Sequence, residues 1–265
     1  MIMLVAHRYL TVATIAIAIA LPLNAEFAPA SAPAKPGITK PSKVATRFTR
    51  PPLPKRGAPG NAGRGAGTRA CMTLAKKSPQ PMLNNLNALV PEERVGKVTH
   101  VWGLTTLEHP TLWFYIPYDN TGIDSVSFTL QDNAGQMVQK VSVPIPARAG
   151  LVSVQLPETK PGLQVGNIYN WFFTVHGKCP GDPRAFVEGW IERTSLDAAT
   201  RDRLQQASPQ QKAELFAAKG IWYDALNTLA ELRRVEPDNA TAIAHWAELL
   251  KQSDMEPLSI QAIVQ

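Results

Sequence analysis

Apolar and polar residues alternate with a period of two through much of residues 98–193, a pattern typical of β-strands that bury one face. The clearest case is SVSFTLQ at residues 125–131, in which Val, Phe and Leu alternate with Ser and Thr. The turn residues DNAG follow, so residues 136–143 are expected to return as the second strand of a hairpin. The other predicted strands are residues 98–107, 111–117, 151–156, 168–176 and 186–193.

Short strands at this spacing predict an antiparallel β-sandwich of the immunoglobulin or fibronectin type in residues 71–195. Tyr169 lies at the start of a predicted strand, in LQVGNIYNW, and its hydroxyl is placed to hydrogen-bond back across the corner that enters the strand. An ordinary core tyrosine is the alternative interpretation.

The stretch GLTTLEHPTLWFYIPY contains a strand with large apolar residues on both of its faces. Leu112, Phe114 and Ile116 point to one side, and Trp113 and Tyr115 point to the other. We therefore expect this strand to be covered on both sides, with Trp113 and Phe114 both mostly buried.

A helical pattern replaces the alternation from residue 196 onward. Ser208 is placed to cap the second helix, with Pro209 at its first position, and Pro237 ends the third. Residues 253–265 are expected to be a flexible tail, so the helical region covers 196–252. The predicted helices are residues 196–207, 208–220, 221–236 and 238–252, the first beginning near Asp197 and the last capped by Asp238 or Asn239.

The middle two helices have the residue spacing of a tetratricopeptide repeat. The matching positions are Ala213, Phe216, Gly220, Ala225, Leu229, Leu232 and Pro237. Such units normally need neighbouring repeats to be stable, so this one is expected to pack on the sandwich or on its flanking helices. Trp222, Tyr223 and Trp246 are apolar enough to form that docking face, and lining a partner groove is the alternative.

The N-terminus has the organisation of a signal peptide. A basic start at His7 and Arg8 precedes the apolar run LTVATIAIAIAL, and a proline and small residues follow it. We predict export to the periplasm or the outside, with cleavage near Ala25, whereas an uncleaved anchor is the alternative. After residue 25, no segment of the sequence is apolar and long enough to predict an integral membrane span.

Charge is segregated along the chain. Residues 26–77 contain 11 Lys or Arg and one acidic residue, whereas residues 78–265 contain 15 basic and 20 acidic residues. The pI of about 9.4 therefore reflects a basic segment and does not predict nucleic-acid binding by the folded part. Residues 26–70 are rich in Pro and Gly and predict a disordered basic linker, for which contact with an anionic surface is an open alternative.

Candidate chemistry is sparse. The histidines and cysteines show no metal-ligand spacing, a nucleophile elbow is absent from the sequence, and no cofactor is predicted. If the protein were an envelope hydrolase, Glu108, His109, Asp119 and Glu188 would be its candidate polar groups. Adjacent residues on an extended chain point apart, so Glu108 and His109 make a poor acid–base pair.

Four stretches taken together resemble the family known as domain of unknown function 928, exported proteins of cyanobacteria. In order they are RGAPGNAGRGAGTR, GLTTLEHPTLWFYIPY, VEGWIER and GIWYDALNTLAELRR. The resemblance runs from Pro51 to Leu250 and implies an envelope or extracellular location without an established activity. Cys71 and Cys179 are the two cysteines, which in an exported protein allow one disulfide, and the resemblance places cysteines at both positions.

These features predict a non-catalytic binding or scaffolding module of the cell envelope. A sandwich joined to a helical hairpin offers a sheet face and a helix face to an envelope or secreted protein partner, or to a glycan. A structural surface protein held by its basic segment is one alternative, and the envelope hydrolase is the other.

Overall fold

Nine strands and four helices make up the part of the chain that the computed structural model describes, residues 46–53, 72–181 and 184–264. All of these residues belong to one compact unit. The strands are β1 (Asn87–Ala88), β2 (Glu92–Val95), β3 (Val98–Thr105), β4 (Thr111–Ile116), β5 (Ile123–Gln131), β6 (Met137–Val143), β7 (Gly150–Gln155), β8 (Ile168–Gly177) and β9 (Arg184–Arg193).

The strands form two sheets. The smaller has the order β1-β4-β7, and the larger has the order β2-β3-β9-β8-β5-β6. Neighbouring strands are antiparallel, except that β3 runs parallel to β9. The predicted strands are confirmed within a few residues at their ends, whereas β1 and β2 were not predicted.

The core lies between the two sheets. Phe114 of β4 stacks on Phe173 of β8 with ring centroids 4.0 Å apart and planes 8° from parallel. The edge of Trp171 meets the same Phe114 ring at 5.6 Å. The inward residues predicted for 125–131, such as Phe128, are fully buried. Because each sheet contributes aromatic rings to one interior, the arrangement is a β-sandwich.

Both faces of β4 are buried, as its sequence predicts. Trp113 is 2% exposed and Phe114 is fully buried. The Trp113 indole donates a hydrogen bond to the Asn227 side chain at 3.1 Å, and the Tyr115 hydroxyl donates to the Leu83 carbonyl at 3.3 Å. The smaller sheet is therefore covered on its outer side by a helix and by the segment before β1.

The helices begin at the capping residues that the sequence indicates. Ser208 and Gln211 form a reciprocal capping box, with Pro209 at the first helical position. Backbone and side-chain hydrogen bonds from Thr200 lower the pKa of the capping carboxyl of Asp197 to about 2. Asn239 caps the last helix. The helices are α1 (Ala198–Gln206), α2 (Pro209–Ala218), α3 (Trp222–Val235) and α4 (Ala240–Lys251).

Helix α3 packs directly on the sandwich, against β3 and β4. Its Trp222 indole donates a hydrogen bond to the Leu89 carbonyl at 2.7 Å. The approach needs Gly103 on β3, because a Cβ atom there would lie 3.0 Å from the Tyr223 ring. The helical region thus covers the sandwich instead of standing free. None of the helices in the described part of the chain combines the length and apolar composition needed to cross a bilayer.

The tyrosine corner predicted at Tyr169 is confirmed. Its hydroxyl accepts a hydrogen bond from the backbone N–H of Gln164 at 3.0 Å, five residues upstream, and its ring is buried.

We expect Tyr169→Phe to lower the free energy of unfolding by about 0.5–1.5 kcal/mol, because the Gln164 N–H loses its acceptor. Urea unfolding of the purified chain measures the change. Gln164→Ala is the matched control, since it keeps the backbone donor and should leave stability within about 0.5 kcal/mol of the wild type. Equal losses in the two variants would contradict the corner.

The end of the chain is packed, which corrects the expectation of a flexible tail at 253–265. Leu258 is fully buried, and the backbone around Ile263 forms a parallel bridge with Leu151 at the edge of β7. Gly150 permits this contact, because a Cβ atom there would lie 2.5 Å from the Val264 side chain. The free edge of β7 and the apolar residues of this segment explain the packing.

Part of the predicted linker is also packed. Residues 46–53 lie against the helices, with Thr46 fully buried and the ring of Phe48 against that of Trp222. The expectation of disorder throughout 26–70 is therefore wrong for this segment. Its remaining residues, 26–45 and 54–70, lie outside the described residues, as does the signal-peptide prediction for 1–25.

Candidate binding site

The three aromatic residues that the sequence offers for docking or partner contact are all in the interior. Trp222 and Trp246 are fully buried and Tyr223 is 1% exposed. The Trp246 indole donates to the Ser259 carbonyl at 3.1 Å, and the Tyr223 hydroxyl accepts from the Trp171 indole at 2.9 Å. These side chains form the docking contacts, and the alternative of a partner groove lined by them is wrong.

The four polar groups considered for hydrolysis do not converge on one cleft. Glu108 and His109 lie together, with their side-chain oxygen and Nε2 atoms 3.8 Å apart, because the chain bends there instead of running extended. Asp119 accepts a hydrogen bond from the backbone of Thr121 and caps a short 3-10 helix. Glu188 lies on β9, in the larger sheet.

The cysteine pair is not fully described. Cys179 follows β8, whereas Cys71 lies outside the described residues. The disulfide therefore stays a prediction. For metals, no three His, Cys, Asp or Glu side chains gather among residues 46–53, 72–181 and 184–264 in a way that could hold an ion.

The outer face of the larger sheet carries an unusual group of side chains around Glu188. Phe172 on β8 is the direct cross-strand neighbour of Glu188, and Phe186 and Trp190 lie two residues to either side of it on β9. All four side chains are partly exposed. Residues two apart on a strand share a face, so three aromatic rings surround one carboxylate. We call these four residues the aromatic face.

Burial among these rings has an electrostatic consequence. Desolvation raises the pKa of the Glu188 carboxyl, and it does the same for Glu192, four residues further along β9. A carboxylate in such surroundings is less well hydrated than one in open solvent.

A shallow depression of about 310 Å³ adjoins the aromatic face. It combines two aromatic rings with hydroxyl, amide and guanidinium groups, and so offers apolar area together with donors and acceptors. Its lining residues are Thr129, Gln131, Phe172, Thr174, Arg184 and Phe186.

The aromatic face was missed by the sequence analysis. Alternation in FVEGWIER identifies Val187 and Ile191 as inward, and so leaves Phe186, Glu188 and Trp190 outward. Two outward aromatic residues flanking an acid were a detectable signal. The third ring, Phe172, joins them only through the pairing of β8 with β9, which the sequence alone does not give.

The fold and the site define a class of protein: a β-sandwich with a helical layer packed against β3 and β4, whose larger sheet presents an aromatic face. The chain belongs to the family described as Domain of Unknown Function (DUF928), whose family model matches residues 64–263. This confirms the resemblance seen in the sequence. No curated protein matches the chain.

Proposed function

We propose that this protein is an exported, non-catalytic binding module of the cell envelope, and that the aromatic face is where its partner binds. The observation that carries the proposal is the partial exposure of three aromatic rings on the larger sheet, while the helices cover the smaller one. The N-terminal pattern of the sequence supports export.

The composition of the aromatic face favours a protein partner. Aromatic side chains are enriched at the centres of protein interfaces, where they bury large areas at a small cost in side-chain entropy. Arg184, which lines the adjoining depression, supplies a charged group for the rim. A glycan is the other partner class, and the experiment below tells the two apart.

The strand order supports an immunoglobulin-type sandwich as the scaffold. The orders β1-β4-β7 and β9-β8-β5-β6 correspond to strands A-B-E and G-F-C-C′ of that fold. Domains of this type commonly serve as binding modules.

The helical layer keeps the features of a tetratricopeptide-like pair. Ala213 and Ala225 are fully buried where α2 and α3 pack, and Gly220 between them has a positive φ of 74°. The lack of a shared cleft for Glu108, His109, Asp119 and Glu188 supports a non-catalytic role.

The test is affinity capture from envelope extracts with the full chain and with Phe186→Ala/Trp190→Ala. We expect the wild type to retain a defined protein and the double variant to retain roughly tenfold less, as loss of interface hot spots does. Ile260→Ala is the matched control, because Ile260 is 81% exposed and lies outside the aromatic face.

Capture by the double variant at the wild-type level would contradict the proposal, provided that both chains have similar melting temperatures. Binding of purified glycans, with no protein captured, would replace the protein partner by a carbohydrate.

A further inference from the structure

Residues 46–53, which we call the strap, belong to no helix or strand and pack against the helical layer, whose contacting surface we call the groove. The groove is formed by the end of α2, by α4 and its C-cap Gln252, by the start of α3 and by Gly220, and the strap also reaches β2, where Arg50 donates a hydrogen bond to the Glu92 carbonyl at 3.0 Å. The groove contacts both the backbone and the side chains of the strap.

The groove binds the backbone of the strap through three hydrogen bonds. The side-chain amide of Gln252 accepts from the Phe48 N–H at 2.7 Å and donates to the Thr46 carbonyl. The Ala217 carbonyl, at the end of α2, accepts from the Thr49 N–H at 3.0 Å. An amide side chain that pairs with both a donor and an acceptor imitates a neighbouring strand, which is how extended peptides are commonly bound.

Side chains add selectivity. The Thr46 hydroxyl shares a hydrogen bond with Nδ1 of the buried His245. The ring of Phe48 meets that of Trp222 edge-on, with centroids 4.9 Å apart and planes at 73°. The groove therefore contacts the side chains of a threonine and a phenylalanine two residues apart in the strap.

Gly220 shapes the floor of the groove. A Cβ atom at this position would lie 2.7 Å from the Thr49 carbonyl oxygen and 3.0 Å from Cδ of Pro51. The residue thus serves two needs, because its positive φ also turns the chain between α2 and α3. Any larger residue here would push the strap out of the groove.

The strap is separated in sequence from the rest of the described chain. Residues 54–71 separate it from Met72, and an extended chain of that length reaches roughly 60 Å. The groove residues fall within the matched span 64–263 of the family, whereas the strap precedes that span. A segment bound non-covalently and joined by a long connection can be exchanged between identical chains.

We propose that the groove is a peptide-binding site and that the strap of a second copy occupies it by exchange, which joins copies of this protein. Every copy of the protein contains the same strap sequence, so the strap of one copy is complementary to the groove of any other. Covalent connection of a segment to its own binding site commonly gives an effective concentration in the millimolar range, which favours the closed monomer in dilute solution.

The test uses two full-length variants with complementary defects. Phe48→Ala weakens the strap and leaves the groove intact, and its lost ring contact should weaken strap binding by roughly tenfold to a hundredfold. Gly220→Ala obstructs the groove and leaves the strap intact. Each variant alone should sediment as a monomer, whereas an equimolar mixture should form a heterodimer in which the intact strap fills the intact groove.

The control mixture pairs Gly220→Ala with the double variant Phe48→Ala/Gly220→Ala, which has no intact groove and should stay monomeric. If Gly220→Ala fails to fold, Gln252→Ala replaces it, because this partly exposed residue supplies two of the strap bonds. A synthetic peptide of residues 46–53 should bind the Phe48→Ala chain in fluorescence anisotropy.

A monomeric complementary mixture across the micromolar range would overturn strap exchange, even if the peptide binds. Failure of the peptide to bind as well would overturn the groove as a peptide site. Dimers in the control mixture would assign the association to another surface and would overturn the proposal too. None of these outcomes depends on the aromatic face.

Discussion

Trp222→Ala is expected to lower the free energy of unfolding by about 3–5 kcal/mol, the largest effect of any single change considered for this chain. The side chain is fully buried where α3 meets the sandwich. Its removal creates a cavity between the two layers and leaves the Leu89 carbonyl without its donor. It also takes away the ring against which Phe48 packs.

The measurement is urea unfolding recorded with two signals in parallel. Far-UV circular dichroism reports helix content, and tryptophan fluorescence reports the surroundings of the indole rings. In the wild type the two signals should change together, because α3 is packed into the sandwich. Ile243→Ala on α4 is the matched control, since this side chain is 42% exposed and should cost less than about 0.5 kcal/mol. A loss below about 1 kcal/mol for Trp222→Ala would contradict the coupling of the two layers.

The strands that could be predicted from the sequence are those long enough to display alternation. In β5, Val126, Phe128 and Leu130 point inward over nine residues, and the pattern is unambiguous. In contrast, β1 has only two residues. β2 has four residues, and none of them is buried. Short edge strands are defined by the hydrogen bonds of their neighbours, which leave no periodic trace in the sequence.

The strap and the end of the chain were missed for a different reason. Composition averages over a segment, and residues 26–70 are poor in large apolar side chains on average. The strap is held mainly through its backbone, by Gln252 and Ala217, which lie about 200 and 170 residues away in sequence. No local pattern records a bond of that kind.

The burial of Trp222 and Tyr223, which lie on α3, was predictable from the sequence. Both are large, mainly apolar side chains at the start of α3, so burial was the expected outcome, and the structure places both inside. The aromatic face was not predictable in the same way. It depends on Phe172 standing opposite Glu188, a consequence of sheet register rather than of either strand's own sequence.

Asp224 joins α3 to the end of β3 and should make stability depend on pH. Its carboxylate accepts hydrogen bonds from the Thr105 hydroxyl at 2.6 Å and from the Thr106 N–H at 3.0 Å, and the Thr106 hydroxyl also donates to it. Burial raises the pKa of this carboxyl, against the opposing effect of the hydrogen bonds. Asp224→Asn should cost about 1–3 kcal/mol at pH 7, because an amide N–H₂ then faces these donors.

The sign of the pH dependence follows from the raised pKa. The folded state favours the protonated carboxyl, so its contribution is complete below the unfolded value of about 3.9 and is lost as pH rises through the folded pKa. We therefore expect the wild type to gain stability relative to Asp224→Asn as pH falls from 7 towards 4 in urea unfolding. Thr105→Val removes one hydrogen-bond donor to the Asp224 carboxylate and should therefore raise the pKa of Asp224 further. The pH-dependent part of the free energy of unfolding should then be larger. A stability difference that stays constant or shrinks with falling pH would mean that the hydrogen bonds from Thr105 and Thr106 outweigh burial.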